Sequence, residues 1–347
     1  MRSGVFYALT AAALFGASTP LASLLLGEQP PVLLAGLLYL GSGVGLGLVR
    51  LLREGGWSSS GLGPGDWPWL LGAIFFGGVL GPVALMFGLT LVSGATASLL
   101  LNLEAVLTAL IAWWVFREYA DRRVVLGMMA IVAGGVVLSW PAGQEGGASG
   151  TWGLLAIAGA CLCWAIDNNL TRRVSASDAL FIASTKGLIA GGVNTTLALV
   201  LGASLPSVMT LGLSLLLGFV GYGLSLVCFV LALRGLGTAR TGAYFSTAPF
   251  LGAAVALGLL GESATPAFWL AAAFMGLGVW LHLSERHAHE HTHEPVEHAH
   301  RHVHDEHHRH AHGADWDGRE PHAHRHRHDA LTHKHPHYPD IHHRHGH

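Results

Sequence analysis

Residues 94–123 read GATASLLLNLEAVLTALIAWWVFREYADRR, and this stretch decides the fold. From Gly94 to Phe116 the only ionisable side chain is Glu104, and Arg117, Arg122 and Arg123 follow at once. An apolar run of this length crosses a hydrocarbon core of ~30 Å at about 1.5 Å per residue. The arginines behind it mark the cytoplasmic end, because short loops on that side hold the excess of Lys and Arg.

The same pattern recurs on both sides. Apolar segments at 4–26, 31–52, 67–92, 94–116, 123–140, 151–170, 178–202, 206–233, 238–260 and 266–283 predict ten membrane-spanning helices. Arg2, Arg50 and Arg53, the three arginines above, Arg172 and Arg173, and Arg234 and Arg240 fall in alternate connections, and the other connections hold no Lys or Arg. The expected protein is an all-α, multi-pass protein of the cell (plasma or inner) membrane with both termini cytoplasmic. The first span starts a few residues in and has no small-residue cleavage site, so a retained helix is expected rather than a signal peptide.

Composition agrees. Hydrophobic residues make up 51% and charged residues 12% of the chain, about half the charge usual in a soluble domain. Glycine is abundant, as close helix approach in lipid requires. Cys161, Cys163 and Cys228 all lie inside spans without a CxxC spacing, and read as small core residues.

Five spans per half is an odd number, so a repeated half must enter the membrane with opposite orientation. A shift of 144 residues carries Glu118 onto Glu262, Leu126 onto Leu270 and Gly134 onto Gly278 without a gap. Both stretches read as span, short turn, span, Glu, connection, span. Phe15-Gly16-Ala17-Ser18 likewise matches Trp164-Ala165-Ile166-Asp167. Two inverted five-helix repeats are the architecture of secondary transporters, with a site near midplane between the halves.

With Phe15-Gly16 and Trp164-Ala165 in the first span of each half, and Glu118 and Glu262 closing the fourth, the chain resembles the EamA family of the drug/metabolite transporter superfamily. That resemblance covers about residues 4–283. It implies one EamA-like repeat over 1–140, a linker at 141–150, a second repeat over 151–284, and export of amino acids, metabolites or drugs through a central cavity. Family members often carry a basic residue in the second span of each half. Here the first half has Tyr39 and only the second half has a base, Lys186.

Few ionisable groups lie away from span ends, and one facing lipid would cost several kcal/mol. Glu104 and Lys186 are therefore the first candidates to line the substrate path and handle a proton, with a structural ion pair or tether as the other reading. Asn194, two turns after Lys186, shares its face; Asn102 lies about 200° around the helix from Glu104. Asp167, with Asn168 and Asn169, reads either as interface polarity or as a gate at the cytoplasmic mouth. Tyr244 is a candidate to hydrogen-bond substrate. Pro20, Pro82 and Pro249 interrupt spans and predict kinks beside hydroxyl-bearing residues.

Residues 285–347 form a different kind of chain. Histidine repeats there as His287, His289, His291, His293; His298, His300, His302, His304; His322, His324, His326, His328; His333, His335, His337; and His342, His343, His345, His347. Apolar residues are too sparse for a core, so the expectation is a disordered cytoplasmic tail. Neutral imidazole suits Zn, Ni, Co and Cu ions, and the tail is expected to bind them. Near the unperturbed imidazole pKa of about 6.5 the tail also gains positive charge, which would draw it to anionic headgroups.

The leading expectation is a secondary-active exporter of small organic metabolites that requires no cofactor. The rival is a divalent transition-metal transporter (Ni, Co, Zn, Cu) with the tail as metal buffer or sensor. A membrane-anchored metal store would not need ten spans. No nucleotide-binding GxxxxGK[ST] motif and no catalytic constellation occur, so enzyme activity is not expected. The expected partners are the bilayer and a small-molecule substrate, with no nucleic acid.

Overall fold

Prolines and short polar turns divide the apolar runs into helices, as the sequence leads one to expect. The computed structural model describes residues 2–27, 29–54, 62–116, 122–145, 147–174, 177–236, 238–284, 288–293, 296–302, 322–328 and 331–336. Up to Ser284 the described residues are helical, with no strand. The helices are α1 (Arg2–Leu25), α2 (Pro31–Glu54), α3 (Trp67–Ala73), α4 (Gly81–Leu89), α5 (Gly94–Leu100), α6 (Asn102–Phe116) and α7 (Arg122–Glu145). There follow α8 (Gly147–Val174), α9 (Ala179–Val200), α10 (Val208–Leu217), α11 (Ser225–Leu236), α12 (Thr238–Phe245), α13 (Ala248–Gly258) and α14 (Pro266–Leu283).

Local chemistry explains the boundaries. Ser93 caps α5 by accepting from the Thr96 N–H at 3.2 Å. Asp178 caps α9 through the Leu180 and Phe181 N–H groups at 2.9 and 3.4 Å, and Ser207 caps α10 through Thr210 N–H at 3.2 Å. Pro31 and Pro266 open their helices at the position where a missing N–H costs nothing. Beyond α9, Gly202 turns the chain at φ +91°, a left-handed conformation that suits only glycine well.

Seven described helical stretches are long and apolar enough to cross a bilayer: Gly4–Leu25, Pro31–Arg53, Pro64–Leu89, Gly94–Val115, Arg122–Ser139, Gly150–Thr171 and Val208–Phe229. Ala248–Gly258 and Pro266–Leu281 are apolar but shorter. Outward-facing side chains are apolar too: Leu52, Trp114, Val200 and Val208 are 76, 89, 78 and 87% exposed. A lipid solvent matches such a surface; water does not.

Two spans differ from the sequence reading in the same way. The third contains a π-helical segment, Ile74–Leu80, between α3 and α4, and the eighth contains one at Gly218–Leu224 between α10 and α11. Moving the first by 144 residues lands on the second. The fourth span, expected as one helix over 94–116, breaks at Leu101 between α5 and α6. The ninth, expected whole over 238–260, breaks at Ser246-Thr247 between α12 and α13. Hydroxyls and an amide bond to carbonyls beside these breaks. Ser246 and Thr247 donate to the Gly242 and Tyr244 carbonyls at 2.9 and 2.7 Å, and Asn102 Nδ2 donates to the Leu99 carbonyl at 2.9 Å.

The predicted proline kinks resolve differently from one another. Pro82 and Pro249 stand in the first turn of α4 and α13, just after an irregular segment, while Pro20 lies inside an unbroken α1. Over the linker expected at 141–150, α7 continues to Glu145 and α8 begins at Gly147.

Helices approach closely where side chains are small. Gly43 of α2 abuts Gly187 of α9, and Gly36 abuts Thr195. In lipid, where apolar burial drives nothing, such packing holds neighbours together. The arginine-bearing ends are tied to one another: Arg50 Nε meets Asp178 Oδ2 at 2.9 Å and lies over the Phe181 ring, Arg173 lies over Trp69, and Arg123 donates to the Ser284 carbonyl at 2.9 Å.

Residues 286–338 form a separate unit. Its described residues form strands β1 (Ala288–His293), β2 (Val296–His302), β3 (His322–His328) and β4 (Leu331–Pro336), paired antiparallel as β1–β4 and β2–β3. Strict His-x-His alternation has the period of a strand, which composition alone does not weigh. The register sets His289 opposite His335, His291 opposite His333, His298 opposite His326, His300 opposite His324 and His302 opposite His322. His287, His304, His337, His342, His343, His345 and His347 lie outside the described residues.

Candidate functional site

The polar chemistry of the membrane region gathers on one face of α8. Lys186 of α9 donates to Asp167 Oδ1 and Oδ2 at 2.5 and 2.7 Å and to Thr171 Oγ1 at 3.3 Å. Thr171 itself donates to Asp167 Oδ1 at 2.8 Å. The Lys186 and Asp167 side chains are 13% and 10% exposed, so the pair is largely removed from solvent. The ion partner of Lys186 is thus Asp167, not Glu104. Asp167 has room because Gly77 has no side chain: a Cβ there would collide with the Asp167 carboxylate.

One residue along α8, Asn168 turns a quarter of the way round and donates to Glu104 Oε1 at 2.8 Å and to Thr108 Oγ1 at 3.4 Å. Asn168 is exposed, and Glu104 and Thr108 are half-buried. Glu104 lies near the middle of Gly94–Val115, where a carboxyl facing lipid would be costly. Among the described residues no cation pairs with Glu104.

One turn back from Asn168 stands Trp164. Its Nε1 donates to the Gly77 carbonyl at 2.9 Å, and Tyr39 OH donates to the same carbonyl at 2.7 Å. The π-helical segment thus supplies a carbonyl released from the regular ladder, and two rings take it. Phe15 of α1 packs edge-on against Trp164 at 6.3 Å and Tyr222 at 5.8 Å, and against Phe245 at 5.5 Å; Tyr39 and Tyr222 are 5.5 Å apart. This aromatic cluster draws on residues from both halves of the chain.

Other candidates from the sequence lie apart from this group. Asn194 is fully buried and donates to the Gly78 carbonyl at 3.2 Å. Asn102 is buried, and besides the Leu99 carbonyl it reaches Met275 Sδ at 3.8 Å on α14. It faces away from Glu104, as its spacing requires. Tyr244 is half-buried at the break in the ninth span, where its carbonyl accepts from Thr247. Sequence reasoning singled out Phe15, Trp164 and Tyr39 one by one but missed Tyr222 and the grouping of these rings. The signals were the matched Phe15-Gly16 and Trp164-Ala165 pairs and the glycines of the third and eighth spans, Gly77-Gly78 and Gly221 with Gly223.

An EamA-like transporter family model matches the chain twice, at residues 2–140 and 151–284. The chain belongs to the EamA-like transporter family. Together with the apolar helices this makes it a multi-pass membrane protein and a membrane transporter. A protein of Methanothermobacter thermautotrophicus described as an uncharacterized transporter is 27% identical over 278 residues, which span 75% of this chain and 80% of that protein. A solved crystal structure aligns with a TM-score of 0.60 at 22% identity, over 80% of this chain and 95% of its own, and shares the fold.

Proposed function

We propose that this EamA-family chain is a secondary-active exporter of small organic metabolites, built as ten spans in two inverted repeats with both ends in the cytoplasm. The observation that carries the reading is the meeting of irregular helices at a polar, half-open site. The π-helical segments recur at a spacing of 144 residues, and Gly77 abuts Asp167 as Gly221 abuts Ser18, so each irregular segment touches the first span of the other half. Interrupted helices at matched positions around a midplane site are how alternating-access carriers hold substrate. In this reading Glu104, Asn168, Asp167 and Lys186 lie on the substrate path.

Counterflow in proteoliposomes tests it, with a panel of labelled amino acids, organic amines, organic acids and Ni, Co, Zn and Cu salts. Saturable exchange of an organic solute is expected. Exchange of metal ions alone would overturn the reading in favour of the rival. Cysteine-labelling of the ends from either side of sealed vesicles tests the orientation; labelling from outside intact cells would overturn it.

A second function is supported for the tail: binding of Zn, Ni, Co or Cu ions. The register sets histidines opposite one another in both strand pairs, and paired imidazoles at fixed separation are suited to such ions. The metal-transporter reading has less behind it, because the spans hold no histidine before His282; among the described residues, strand histidines included, no group of three or more His, Cys, Asp or Glu is fit for a metal ion, so the tail reading rests on pairs of imidazoles. Deleting residues 285–347 is expected to abolish metal binding and leave organic-solute exchange in place.

A further inference from the structure

Glu104 sits in the middle of its span with a neutral partner, while the nearby lysine is fully engaged elsewhere. Both Asp167 oxygens and the Thr171 hydroxyl surround the Lys186 ammonium, so that pair is electrically closed. Glu104 has Asn168 and, through it, Thr108. A carboxyl inside a bilayer either takes up a proton or meets a positive charge, and among the described residues no cation pairs with it, so the position is open to a cation from outside the chain.

The wall next to it consists of rings. Trp164 is one turn from Asn168 on the same face of α8, and Phe15, Tyr222 and Tyr39 continue the wall with centroid spacings of 5.5 to 6.3 Å. Phe15, Tyr39 and Tyr222 are only half-buried, so parts of their surfaces remain open. The negative face of an aromatic ring attracts a cation, most strongly where water is scarce. A single carboxylate beside an amide, a hydroxyl and several rings offers too few hard ligands for a divalent metal ion. It repels an anion.

We propose that this site takes a small organic monocation with an apolar or aromatic body. Its ammonium lies toward Glu104 and the Asn168 carbonyl, and its body lies against the half-buried rings of Phe15, Tyr222 and Tyr39. The inference rests on the transporter reading and names the substrate class of that same site.

The test uses the purified full-length protein in nanodiscs and calorimetric titration with benzyltrimethylammonium, its uncharged carbon isostere neopentylbenzene, and benzoate. Saturable binding of the cation is expected, with the isostere and benzoate weaker by about tenfold or more. Glu104→Gln is expected to weaken the cation by about tenfold or more, and Phe15→Leu by about threefold to tenfold, each judged only where thermal unfolding matches the parent protein. Glu104→Asp is expected to retain most of the binding if the charge is what matters; it keeps the proposal testable should Glu104→Gln fail to fold. Equal binding of benzoate, or undiminished cation binding by Glu104→Gln, would overturn the proposal. Exchange of a neutral or anionic metabolite by a protein that does not bind the cation would sink this inference and leave the transporter reading standing. Cation binding through Glu104 without exchange of any solute would do the reverse.

Discussion

The Asp167 carboxylate and the Gly77 backbone interlock: the acid occupies the space where any side chain at Gly77 would sit, and there it receives Lys186 through both oxygens. A span-crossing contact, a buried ion pair and a π-helical segment therefore depend on one another.

Removing one member of that pair leaves a charge stranded away from water. Lys186→Met is expected to destabilise the folded protein by about 3–5 kcal/mol, and Lys186→Met combined with Asp167→Leu to recover most of the loss. Thermal unfolding of the four proteins in detergent gives the coupling; simple additivity would deny that the pair acts as a unit.

At the matching contact in the other half, a Cβ on Gly221 would stand 2.5 Å from the Ser18 Cβ. Gly221→Ala is thus expected to cost about 1–3 kcal/mol through overpacking, although alanine favours helices. Adding Ser18→Gly removes the colliding atom and should restore stability. No rescue in a thermal unfolding series would count against the contact.

The Gly77 carbonyl has two donors, Trp164 Nε1 and Tyr39 OH. Trp164→Phe or Tyr39→Phe alone leaves one donor and should cost about 0.5–1.5 kcal/mol, whereas the double change orphans a buried carbonyl and should cost more than the two together. Denaturation of the three variants measures the excess.

Glu262 accepts from the Gly94 and Ala95 N–H groups at 3.1 and 2.9 Å, closing the N-terminus of α5 with a carboxylate. Glu262→Gln keeps the shape but weakens the acceptor and removes the charge that complements the helix dipole. A loss of about 0.5–2 kcal/mol is expected, with faster hydrogen exchange at those two amides. Unchanged exchange there would show that the cap contributes nothing.

Much of the fold was legible in the chain. Apolar length needs no tertiary information, since it reports on a segment's own transfer into lipid. The repeat was legible through Glu118 and Glu262, and the family model matches both halves. Separation of Asn102 from Glu104 around their helix followed from period alone, and the two do face α14 and α8. The breaks at Leu101 and at Ser246-Thr247 were hidden, because no proline or charge stands at Leu101 and Pro249 lies after its break.

The choice of partners was hidden as well. Glu104 and Lys186 are the obvious intramembrane charges in a linear reading, yet Lys186 pairs with Asp167 and Glu104 with Asn168. Which acid meets the lysine depends on how α8 rotates against α9 and the π-helical segment, and that rotation is set by glycines allowing backbones to touch. By itself the sequence determined that the chain lies in a membrane as apolar helices in two related halves, because hydrophobicity and charge are properties of each segment alone. Only the tertiary structure decided which polar side chains share a site and which carbonyls are released to them, because those depend on distances between segments far apart in the chain.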